Sequence, residues 1–184
     1  MYTKGDWVVR PPYGLCEVAG QTVHDGRAFL MLIPSLEDAR VYVPQAAADC
    51  LLRPALTKRE AADLISRIPS FSPCREKGRS RTGELQAMLA GGRAEDLVKI
   101  VMEIYQKNAA SIEKGRGISN YTEGRLFRCA EDMLNAELAH ALGLDPQQVQ
   151  PYVNDLQDKP EGLDVSVLPT GSVAGLPVAL HPYG

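Results

Sequence analysis

Leu51-Leu52-Arg53-Pro54-Ala55-Leu56-Thr57-Lys58-Arg59-Glu60 decides the fold, because the hydrophobic period changes inside it. Up to Arg53 the chain reads in short strand-like runs. From Thr57 it reads at helical spacing. Thr57 and Glu60 have the arrangement of a capping box, in which the hydroxyl accepts from the third helical N–H and the carboxylate reaches back to the cap. Ala61, Leu64, Ile65 and Ile68 then fall on one side of a helix.

Upstream, Trp7-Val8-Val9-Arg10 is a strand that Pro11-Pro12 stops, since proline cannot donate to a ladder. Tyr13-Gly14 turns the chain into Leu15–Val23, and His24-Asp25-Gly26 is a hairpin-type turn. Arg27–Ile33 and Arg40–Val43 follow as strands, each closed by a proline, and Cys50–Arg53 is read as a fifth. Short strands joined by Gly/Pro turns argue for a small barrel or curled sheet. Downstream of the first helix, Pro69 to Pro73 form a breaker. Leu85, Met88 and Leu89 mark a short helix ending at Gly91-Gly92. Leu97, Ile100, Val101, Ile104, Tyr105 and Ile112 stripe a long one. Leu126, Ala130, Met133, Leu134, Leu138 and Leu142 stripe the next, stopped by Gly143. Asp145-Pro146-Gln147-Gln148 opens a last helix with an N-cap and a proline at its first position. The expected class is α+β: a strand-rich unit over residues 1–54, an all-α helical unit over 55–157, and an extended or mobile tail over 158–184.

With 45% hydrophobic and 23% charged residues among 184, the composition is too apolar for a disordered chain. The longest apolar run, Ala28 to Ile33, is far short of a membrane span, and Gly5 and Asp6 interrupt any secretory signal, so a cytoplasmic protein is expected. Cys16, Cys50, Cys74 and Cys129 show no C-x-x-C spacing and are read as reduced thiols without a metal or catalytic role. Gly78 to Gly83 have the glycine spacing of a phosphate loop. Glu84 and Leu85 stand where that motif needs Lys and Ser/Thr, and a carboxylate there would repel phosphate. His24, His140 and His181 have no partner ligand at i+3 or i+4, and Glu131, Asp132 and Glu137 read as a solvated helix face. No nucleophile–base pair is present in the pattern. The expectation is a non-enzymatic protein with no cofactor and no metal.

The net charge of −3 is unevenly placed. Residues 1–52 carry a net of −2, residues 53–93 a net of +5 and residues 94–184 a net of −6. Arg75, Lys77, Arg79 and Arg81 fall within seven residues, offset only by Glu76. On an exposed loop they could contact several phosphates, each adding a salt-dependent term.

Several motifs in order resemble the CarD/CdnL family of bacterial RNA polymerase-binding transcription regulators. They are Tyr2-x-x-Gly5-Asp6-x-Val8-Val9-x-Pro11-x-x-Gly14, Val41-Tyr42-Val43-Pro44, Leu52-Arg53-Pro54 before a helix, Asp96-Leu97-Val98-Lys99 with Ile104-Tyr105, and Ala130-x-x-Met133-Leu134-x-x-Glu137-Leu138-Ala139. The resemblance spans about residues 1–156. It implies an N-terminal SH3/Tudor-like β-barrel that docks on the RNA polymerase β subunit by strand addition, and a helical domain lying on promoter DNA. The matching strand is Arg40, Val41, Tyr42, Val43 and Pro44, with Tyr42 where well-known members often carry arginine. The matching DNA-facing segment holds Arg75, Lys77, Arg79 and Arg81. It lacks the tryptophan that other members wedge into the minor groove; the only tryptophan, Trp7, sits in the first strand. The expected function is therefore modulation of open-complex stability through polymerase and the DNA backbone. The alternative is a protein–protein adaptor that uses the barrel alone.

Overall fold

The computed structural model describes residues 2–71, 78–118 and 120–158. The tail and the segment holding Cys74, Arg75 and Lys77 lie outside the described residues.

Five strands form one antiparallel sheet: β1 (Trp7–Arg10), β2 (Gly14–His24), β3 (Arg27–Pro34), β4 (Val41–Pro44) and β5 (Arg53–Pro54), in spatial order β4-β3-β2-β1-β5. The β2–β3 hairpin turns through Asp25 (φ 49°) and Gly26 (φ 71°), the paired left-handed positions of a two-residue hairpin turn. A register shift between Val18 and Gly20 bends β2. Cys50 and Leu51 are not in the fifth strand. The chain leaves β4 through a tight turn at Gln45–Ala47 into the helical turn α1 (Ala48–Leu51), and only Arg53 and Pro54 remain to pair with Val9 and Val8. No ladder joins β4 to β5 among the described residues, so the sheet is open where barrel closure was expected.

Side-chain alternation splits the sheet into two faces. Val8, Cys16, Val18, Leu30, Leu32 and Val43 pack on one, covered by Ala48 and Leu52 from the β4–β5 connection. Val9 and Leu15 lie on the other, under Ala136.

The helical part is α2 (Lys58–Arg67), α3 (Gly78–Gly91), α4 (Ala94–Ile112), α5 (Tyr121–Leu142) and α6 (Pro146–Asp158). The capping box at Thr57 forms as expected: Glu60 N–H donates to Thr57 Oγ1 at 3.3 Å and Thr57 N–H to Glu60 Oε2 at 2.8 Å. Gly143 ends α5 in the left-handed region (φ 69°). Asp145 Oδ1 accepts from Gln147 N–H at the start of α6. Leu64, Ile65, Leu85, Leu97, Ile100, Ile104 and Leu138 lie at the centre of the helical core. Tyr105 departs from its expected place in the stripe and is about half exposed. None of the described helices is long and apolar enough to cross a membrane.

Helix α5 joins the two parts. Trp7 stacks on His140 with ring centroids 4.4 Å apart. Gly14 (φ 71°) passes so close to Met133 that a Cβ there would lie 3.1 Å from Met133 Cγ. Gly92 abuts the Pro11 ring, where a Cβ would collide. Between these contacts lies a fork. Arg53 Nη1 and Nη2 donate to the two oxygens of Glu137 at 2.5 and 2.7 Å, Leu56 N–H donates to the same carboxylate at 3.0 Å, and Arg53 also donates to Gly92 O. Glu137 is 1% exposed, which corrects its reading as part of a solvated face: its partner is 84 residues away in the chain. A buried carboxylate persists because a bidentate guanidinium and a backbone N–H together replace its water.

Candidate functional site

Two surfaces bear on the expectations, the β4 edge and the approach to α3. Among the described residues, strand β4 is the terminal strand of the sheet and pairs only with β3. Val43 points into the sheet core and is fully buried, Val41 is half-buried, and Arg40, Tyr42 and Pro44 are exposed. Tyr42 opposes Met31 across the ladder. Phe29, Met31 and Ile33 alternate along β3 on the face away from Leu30 and Leu32, so Tyr42 extends an apolar strip that ends at the free edge. Unpaired N–H and C=O groups beside such a strip form a template for an added strand.

Of the four cations of the basic segment, Arg81 alone has a described side chain. Arg75 and Lys77 lie outside the described residues, and so does the side chain of Arg79, whose backbone is in the first turn of α3. Arg81 is described, and it is not a surface cation. Helix α3 starts at Gly78, well before its first apolar residue, so Arg81 and Leu85 stand four apart on one inward face. Arg81 Nε donates to Glu103 Oε1 and Nη1 to Glu123 Oε1, both at 2.7 Å, and Lys107 Nζ meets the same Glu123 oxygen at 2.6 Å. Burial disfavours the guanidinium charge, but its bonds to Glu103 and Glu123 outweigh that and hold the Arg81 pKa above its ordinary value. Burial likewise pushes Glu123 up, and Lys107 and Arg81 overcome it, leaving the carboxyl below its usual range. Arg81, expected to contact phosphate, is placed in the interior instead: its Nε and Nη1 join α3 to α4 and α5, and its Nη2 is buried without a hydrogen-bond partner among the described residues.

Other candidates resolve into packing. Phe71 is half-buried against the helical core, with Arg67 and Lys99 cations 5.9 and 5.8 Å from its ring centre. Burial pushes the Cys16 thiol up to about 11, while Cys50 and Cys129 are exposed free thiols. A groove of about 540 Å³ between α2 and the α3–α4 turn is lined by Arg53, Arg59, Asp63, Arg67, Arg93 and Glu95. Its cations are largely matched internally: Arg67 pairs with Asp63 at 3.0 Å and Glu95 at 2.9 Å.

Pattern reading missed the Arg53–Glu137 fork and the Arg81–Glu123 network, because each joins residues that look like separate surface charges. A hint lay in Glu137 itself, an acid flanked on both sides by the apolar stripe of α5. No protein-family model matches the chain, and no curated protein aligns with it.

Proposed function

We propose that the chain is a CarD-like transcription regulator without enzymatic activity. Its sheet module, SH3/Tudor-like in kind, docks on the β subunit of bacterial RNA polymerase through Arg40, Val41, Tyr42, Val43 and Pro44. Its helical part contacts the promoter DNA backbone through Arg75, Lys77 and Arg79, and the pair of contacts shifts the stability of the open complex. The observation that carries the reading is the free β4 edge with Tyr42 about half exposed beside the Met31 strip. Strand addition there gives affinity through backbone bonds and specificity through alternate side chains. The meeting of two quoted motifs supports it as well, since Arg53 of Leu52-Arg53-Pro54 is held by Glu137 of the α5 pattern.

The test is capture of the full chain by the polymerase β-subunit lobe. Tyr42→Asp places a charge on the edge without touching the core and should abolish capture while leaving the circular dichroism unchanged. Equal capture of the variant and the wild type refutes edge docking. The internal role of Arg81 favours a narrower reading for the other half, an adaptor that binds polymerase without DNA. Promoter footprinting with and without the protein decides between them.

A further inference from the structure

The β4 side of the sheet is unfinished. Among the described residues the outward N–H and C=O groups of β4 have no ladder partner. The core layer is incomplete there too: Val43 is buried, whereas Val41, packed on the same cluster, is only half-buried. On the opposite face Tyr42 is 51% exposed beside Met31, and Ile33 is 42% exposed. Arg40, just before the strand, is exposed and has no ionic partner among the described residues. Native sheets blunt such an edge with charge, with a bulge or with a covering segment. Val41, Tyr42 and Val43 carry no charge, and no bulge interrupts their pairing with β3, which leaves a covering segment.

The chain holds a sequence suited to that role. Residues 159–184 follow α6 and lie outside the described residues. Their acids, Glu161 and Asp164, stand at the start, and residues 165–180 hold no charge at all. Val165-Ser166-Val167-Leu168 before Pro169 repeats the strand pattern of Val41-Tyr42-Val43 before Pro44 with one residue more. As an added strand it places Val165 and Val167 on one face, where they extend the layer that Val41 leaves partly open. In the parallel direction Asp164 stands beside Arg40, Val165 beside Val41 and Val167 beside Val43. The seven residues from position 158 to position 165 span up to about 24 Å when extended. A five-stranded sheet is roughly 19 Å across.

We infer that residues 164–168 dock on β4 of the same chain as a sixth, parallel strand, held by backbone bonds, by Val165 and Val167 over the core layer and by Asp164 against Arg40. The tail then shields the edge from pairing with another chain. Tethering gives the segment an effective concentration in the millimolar range, so even a weak strand contact is populated. Its regulatory consequence rests on the polymerase-docking reading: tail and polymerase compete for one edge, and capture weakens in proportion to the fraction of chains whose edge is covered.

The test is amide hydrogen exchange of the full chain followed by NMR, wild type against V165D/V167D, which breaks the added strand without altering a described residue. In the wild type the alternate amides of residues 40–43 that point away from β3 should exchange roughly threefold to tenfold more slowly than in the variant. Amides of the β2–β3 ladder should be the same in both. Capture by the polymerase β-subunit lobe should be stronger in the variant by the same factor, since both readouts measure the covered fraction. Asp164→Lys should move both readouts in the same direction by less. Equal exchange of the outward β4 amides in wild type and V165D/V167D overturns the proposal, whatever polymerase does. Slower exchange in the wild type, with neither protein captured, upholds the tail contact and removes the polymerase reading. Protection that grows with protein concentration, together with a dimer in sedimentation, assigns the edge to a second copy and overturns docking within one chain.

Discussion

Glu137→Ala tests whether the sheet and helices are held as one body by a buried ion pair. The substitution removes a carboxylate that accepts Arg53 at 2.5 and 2.7 Å and the Leu56 N–H at 3.0 Å. It leaves the Leu56 N–H without that acceptor and Arg53 with backbone carbonyls alone, chiefly Gly92 O. Breaking a buried pair from one side costs about 3–5 kcal/mol. Arg53 keeps 26% of its side-chain surface, so water recovers part of that, and about 3 kcal/mol is expected. With a urea dependence of about 2 kcal/mol per molar, the unfolding midpoint should fall by about 1.5 M. Trp7 is the only tryptophan and stacks on His140, three residues beyond Glu137, so its emission follows the seam directly. Far-UV circular dichroism follows the helices in the same titration. A midpoint shift below about 0.3 M refutes the reasoning. The paired replacement Arg53→Met with Glu137→Leu should recover much of the loss, because no unpaired charge is left to desolvate. Failure of that rescue assigns the effect to packing instead of charge.

Glu123 makes stability pH-dependent with a definite sign. Its folded pKa lies below the ordinary value of 4.5, so its contribution is complete above that value and is lost as pH falls through the lower folded value. Melting temperature should therefore drop more steeply below pH 4.5 in the wild type than in Glu123→Gln, and parallel curves refute this. Gly92→Ala places a Cβ against the Pro11 ring at a φ of 61°, and should cost more than about 1 kcal/mol by calorimetry. Gly91→Ala, in α3 with open space around it, should be neutral or stabilising.

Local chemistry was legible wherever it acts within a few residues. The Asp25-Gly26 turn, the Thr57–Glu60 box, the Gly143 stop and the Asp145 cap each depend on neighbours within four positions, and each forms as read. The errors share one cause. Hydrophobic periodicity treats a charged side chain as solvated, and Arg81, Glu123 and Glu137 are charges whose partners lie far along the chain. Arg81 occupies the leading inward position of α3, so the apolar stripe of that helix begins only at Leu85 although the helix starts at Gly78. Segment charge misled in the same way. The +5 over residues 53–93 includes Arg53, Arg67 and Arg81, whose charges are answered inside the fold. The −6 over residues 94–184 includes Glu103, Glu123 and Glu137, which are answered too. Subtracting the internally paired charges lowers the first and uncovers cations in the second.

The two proposed surfaces are coupled through α5. Glu123, which pins the α3–α4 end, and Glu137, which grips Arg53 beneath the sheet, are fourteen residues apart on one uninterrupted helix. At about 1.5 Å per residue that is a rigid spacer of roughly 21 Å. Three contacts within one and a half turns of Glu137, namely Met133 on Gly14, Ala136 under Val9 and Leu15, and His140 on Trp7, fix the rotation of the helix against the sheet. A partner docked on β4 therefore sets where the first turn of α3 stands in space. Docking and backbone contact then act as linked binding events whose effective concentration depends on the stiffness of α5 and of the fork at its far end. Loosening Arg53–Glu137 should consequently weaken joint binding to polymerase and promoter more than it weakens binding to either alone.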